Sequence, residues 1–75
     1  MAHSLIEING HCARINTKQF SCTDVSDIAK LPRNGIHGTA DVSDVDNEPC
    51  AIGSTCIVKT GEVYMLWPDN TWGEL

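Results

Sequence analysis

Four cysteines (Cys12, Cys22, Cys50 and Cys56) and three histidines (His3, His11 and His37) are the side chains in this chain that could ligate a soft metal or supply a nucleophile. Structural zinc sites gather their ligands in close pairs such as C-x2-C or H-x3-H, so that one short stretch presents two donors to one ion. Here the spacings are C-x9-C from Cys12 to Cys22 and C-x5-C from Cys50 to Cys56, and neither is a knuckle. His11 and Cys12 are adjacent on an expected strand and would point to opposite faces. The thiols read instead as small apolar side chains with reactivity in reserve, and the sequence leaves the pairing of any disulfides open. A dyad of Cys12 or Cys56 with a histidine is the available nucleophile arrangement. Cys56 falls in an apolar stretch where a thiolate is disfavoured, and no nucleophile elbow or phosphate-cradling glycine run is present. Asp41, Asp44, Asp46, Asn47 and Glu48 crowd oxygen donors together without the internal glycine turn and set order of a calcium loop. No catalytic residue, metal or cofactor is expected.

Composition narrows the partners. Ten acidic residues against five basic ones give a net charge of −5, and Arg14, Lys18, Lys30, Arg33 and Lys59 are scattered. A phosphate-backbone footprint or a polybasic membrane patch needs clustered cations, so neither nucleic acid nor a membrane surface is an expected partner. No run approaches the roughly 18–20 apolar residues of a spanning helix. MAHSLIEING has neither a basic n-region nor an apolar h-region, so a soluble product with reduced thiols, made in the cytoplasm, is expected. At 75 residues the chain is a single small domain whose own core is marginal, and oligomerisation is one of the standard remedies.

The elements that would hold these residues centre on residues 54–75, STCIVKTGEVYMLWPDNTWGEL. A two-residue turn at Thr60-Gly61 would set Lys59 opposite Glu62, Val58 opposite Val63, Ile57 opposite Tyr64 and Cys56 opposite Met65. Pro68-Asp69-Asn70-Thr71 supplies a second turn, making a three-stranded antiparallel meander over 51–75. In that register one face carries Cys56, Val58, Val63, Met65, Trp67 and Trp72, and the other Ile57, Tyr64 and Leu66. Both faces are apolar and both want cover. Upstream, Asn9-Gly10 predicts an N-terminal hairpin of 5–8 against 11–16, followed by an extended linker through Phe20 to Cys22. Thr23 or Ser21 would cap a short helix over 24–30, with Val25, Ile28 and Ala29 facing the core and Pro32 stopping it. Residues 33–50 read as a long acidic loop or arm. The expected fold is therefore mainly β: a small N-terminal hairpin (1–22 with its linker), one short helix (23–32), a long loop and the C-terminal meander.

The run of a short acidic helix ending in Leu31-Pro32, then Gly53-Ser54, Thr60-Gly61-Glu62-Val63-Tyr64-Met65 and a final Trp72, resembles a module of small virion and fibre proteins of tailed bacteriophages. The resemblance spans roughly residues 20–75, with Cys12, Cys22 and Cys50 outside its pattern. It implies a structural part of a particle: head decoration, head-fibre, connector or tail accessory protein, located in the virion. Such a part would bind copies of itself, a trimer being favoured, and a neighbouring capsid or tail protein. A sheet apolar on both faces agrees with self-association. The expected contact residues are Tyr64, Leu66, Trp67 and Trp72, with Ile36 and Val42 of the loop laid on a neighbour. Two other readings stay open, a cysteine-based zinc or redox module and a receptor- or glycan-binding tip built on the aromatics.

Overall fold

The computed structural model describes residues 3–8 and 16–75, with the backbone alone for Glu7 and Ile8. Its centre is a five-stranded sheet in the order β1 (His3–Ile8), β2 (Lys18–Cys22), β3 (Thr55–Val58), β4 (Val63–Leu66) and β5 (Trp72–Glu74). The fold is mainly β, as expected, and β3–β5 form the antiparallel meander. The segment read as a linker is β2, the second strand of the sheet. It pairs antiparallel with β1, placing His3 opposite Cys22 and Leu5 opposite Phe20. Polar residues hid it, because Lys18 and Cys22 alternate with Gln19 and Ser21 around Phe20, and the Lys18, Phe20 and Cys22 side chains all point inward. The Asn9-Gly10 turn and most of the expected 11–16 strand lie outside the described residues.

On its other side β2 runs parallel to β3, with Phe20 opposite Cys56 and Cys22 opposite Val58. Parallel neighbours cannot be joined by a tight turn and need a long crossover. Residues 23–54 are that crossover, and the long loop or arm expected over 33–50 forms part of it. A 3-10 helix, Val25–Lys30, begins it, capped by Asp24 rather than Thr23; Asp27 completes a capping box. Hydrogen bonds from Ser26 hold the Asp24 carboxylate below its ordinary pKa. Three residues per turn place Ile28 and Leu31 on one side, both buried, while Ala29 rotates off it and Val25 stays exposed. A single α-turn, Asp44–Asn47, follows, with Ser43 accepting from the Asp46 backbone N–H. It anchors β1: the Asp46 carbonyl meets His3 Nε2 at 2.8 Å, and its carboxylate accepts from the Leu5 N–H at 2.9 Å.

The β3–β4 turn corrects the expected register by one residue. Ile57 faces Val63, Cys56 faces Tyr64 and Thr55 faces Met65. The Gly61 N–H donates to the Val58 carbonyl and the Val58 N–H to the Glu62 carbonyl, so the loop is Lys59-Thr60-Gly61. Gly61 sits at φ +107°, the left-handed position that closes such a three-residue loop with a bulge. A one-residue slip moves a whole strand's side chains to the other face. The covered face therefore holds Phe20, Cys22, Cys56, Val58 and Leu66, with Leu5, Tyr64 and Trp72 packed around them. Val63 and Met65 go to the opposite, open face.

Among the described residues His3, Lys18 and Ser54 are buried polar groups. Lys18 Nζ donates to the Glu48 carbonyl at 3.1 Å. Ser54 Oγ accepts from the Lys18 N–H at 3.0 Å and donates to the Ala51 carbonyl at 2.7 Å, tying the start of β2 to the end of the crossover. Replacing Ser54 with alanine takes the acceptor Oγ from the Lys18 N–H and leaves the Ala51 carbonyl with the Ser54 backbone N–H alone. Urea unfolding of S54A is expected to show a loss of about 1–3 kcal/mol.

Candidate functional site

Two features of the sheet are open to chemistry or contact. The first is its uncovered face. From β2 to β5 the outward positions are Gln19, Ser21, Thr55, Ile57, Val63, Met65 and Gly73, none of them charged. Ile57 and Trp67 are the most exposed apolar groups there, at 39% and 37%. Trp67 packs against β5 because Gly73 lacks a side chain: a Cβ at Gly73 would come within 2.8 Å of the indole nitrogen. That nitrogen donates to the Gly73 carbonyl at 3.1 Å. The result is a fixed apolar patch of Ile57, Val63, Met65 and Trp67.

The expected contact residues divide between the two faces. Leu66 is fully buried on the covered face, so it is a core residue and not a contact. Trp72 packs edge-on against Phe20 with ring centres 6.2 Å apart, and its Nε1 donates to the Pro32 carbonyl at 2.9 Å. Tyr64 is half-buried beside them, and desolvation with the nearby Glu74 and Glu62 raises its phenol pKa. Ile36 is exposed at the tip of a tight bridge to Arg33, and Val42 is half-buried in the crossover. Trp67 alone of the six stands on the open face, and Ile57, Val63 and Met65 were missed. The signal that finds them is Gly61, whose placement after Lys-Thr suits a three-residue loop as well as a two-residue one.

The second feature is a thiol pair. Cys22 and Cys56 occupy diagonal positions on parallel β2 and β3, on the covered face, with their sulfurs 2.8 Å apart. Both are free thiols and both are buried. The Cys56 thiol hydrogen-bonds to Cys22 and lowers the Cys22 pKa against the opposing effect of burial. The same bond, together with burial, pushes Cys56 far up. Cys50 is separate: its thiol donates to the Pro32 carbonyl, and burial raises it. A cavity of about 350 Å³ opens at the end of the sheet, between His3 and Ser4 of β1, Ser21 and Cys22 of β2, and Ile57 and Lys59 at the end of β3. His3 Nε2 hydrogen-bonds to the Asp46 carbonyl, and its Nδ1 is buried without a hydrogen-bond partner. Among the described residues no three His, Cys, Asp or Glu side chains converge in a way that could hold a metal ion.

Compared with protein-family models, with curated proteins and with solved structures, the chain matches none of them.

The two tryptophans separate core from surface. Trp72→Ala is expected to cost about 3–5 kcal/mol in urea unfolding, as for other large aromatics cut from a core. Trp67→Ala should cost less than half as much, because its ring rests on the sheet with one side in solvent.

Proposed function

We propose that this chain is a structural assembly subunit, and that it associates with further copies of itself through the open face of the sheet. The observation that carries this reading is the patch of Ile57, Val63, Met65 and Trp67 on a face with no charged residue from β2 to β5. An exposed apolar patch held rigid on a sheet marks an interaction surface. In a chain of net charge −5, an uncharged face is also where two copies meet with least repulsion. The sheet edges are poorly suited to the same task. β1 is interrupted by a bulge between Leu5 and Glu7, and β5 is only three residues long. Face-to-face packing is the remaining geometry for a stable homo-oligomer.

The sequence resemblance extends this reading to a tailed-bacteriophage particle, with the oligomer docked on a neighbouring capsid or tail protein as a decoration, fibre, connector or tail accessory. The exposed Ile36 bridge, away from the meander's open face in sequence, supplies a second contact for that neighbour.

Light scattering of the purified protein under reducing conditions tests the assembly. A closed oligomer is expected for the wild type, and Met65→Lys should convert it to a folded monomer with unchanged circular dichroism. A wild-type protein that stays monomeric at all concentrations would remove the reading.

A further inference from the structure

We propose that Cys22 and Cys56 form a reversible dithiol–disulfide couple that locks β2 to β3, with a low-molecular-weight disulfide as the oxidant entering at the cavity beside Cys22. This inference does not rest on the assembly reading, although its cavity shares Ser21 and Ile57 with the open face.

The geometry divides the work between the two sulfurs. They are in direct contact at 2.8 Å, on the same face of neighbouring strands. Bond formation needs the two sulfurs to close from 2.8 Å to about 2.05 Å, a short movement of the two side chains. Cys22 lines the cavity and Cys56 does not, so an incoming reagent meets Cys22 first. The hydrogen bond from Cys56 favours the thiolate at Cys22, the form that attacks. Cys50 has its thiol turned to the Pro32 carbonyl, away from this pair. The lining also includes Lys59, whose ammonium suits a carboxylate of such a reagent.

The reaction balances as an exchange. Cys22 gives up its proton to solvent in the cavity. The thiolate attacks one sulfur of the small disulfide, the S–S bond breaks, and one small thiolate leaves and takes a proton. Cys56 then loses its proton and attacks the Cys22 sulfur of the mixed disulfide, releasing the second small thiol. One protein dithiol is oxidised by two electrons and one small disulfide is reduced to two thiols. Excess small thiol runs the sequence backwards. The link closes a loop around the whole crossover, which lowers the entropy of the unfolded chain and leaves the folded sheet in place.

The test uses the full chain, reduced and then incubated with oxidised glutathione near neutral pH, followed by intact mass and a non-reducing peptide map. A loss of two hydrogens, a linked peptide pair containing Cys22 and Cys56, and a melting temperature raised by about 10 °C or more are expected, all reversed by dithiothreitol. Cys56→Ser should halt at one glutathione on Cys22, and Cys50→Ser should change neither the link nor the shift. The wild-type map decides the matter even if a variant fails to fold. Cys22 and Cys56 recovered as free thiols, or found linked to other cysteines, would overturn the proposal.

Discussion

The parallel pairing of β2 with β3 is the constraint on which the rest of this structure depends. Two parallel strands cannot be neighbours without a crossover between them, and in a chain of 75 residues a crossover of residues 23–54 is a large share of the available mass. Among the described residues the sheet therefore receives all of its cover on one face. Ile28 of the 3-10 helix, Leu31 and Cys50 pack with Phe20, Cys56 and Leu66, the Ser43-capped turn lies against β1, and nothing among the described residues is left for the other face. An open apolar face follows from chain economy more than from any special property of its residues.

The same pairing explains the unusual polar groups in so small a core. A crossover with little regular structure carries many backbone carbonyls and N–H groups that need partners. His3 and Lys18 reach carbonyls of Asp46 and Glu48, while Ser54 bridges the Lys18 N–H and the Ala51 carbonyl. Trp72 and the Cys50 thiol both serve the carbonyl of Pro32. These side chains replace the helix ladder that a longer crossover would use.

Much of this was legible in the residues. The meander came from turn chemistry at Gly61 and at Pro68-Asp69-Asn70, and the short helix from its acidic start and its Leu-Pro end. The register was not legible, since a glycine after two ordinary residues closes two loop lengths equally well. That single residue exchanged Tyr64 and Leu66 for Val63 and Met65 on the open face, and so decided which side chains were taken as contacts. β2 was hidden for another reason: Lys18 is buried through a carbonyl contact 30 residues away, which no local pattern reports. The helical turn at Asp44–Asn47 did carry a local signal, the Ser43-x-x-Asp46 capping pattern, obscured by the acidic run around it. The twice-occurring Asp-Val-Ser-Asp is no repeat, for the cap is the first residue of one copy, Asp24, and the third of the other, Ser43.

Amide hydrogen exchange, resolved by residue, tests the parallel pair most directly. If β2 and β3 form the centre of the sheet, their amides exchange slowest of all, together with those of β4, and only through global unfolding. If residues 18–22 exchange like a loop while 55–66 stay protected, β2 is not in the sheet. The crossover, the covered face and the thiol pair would then fall with it.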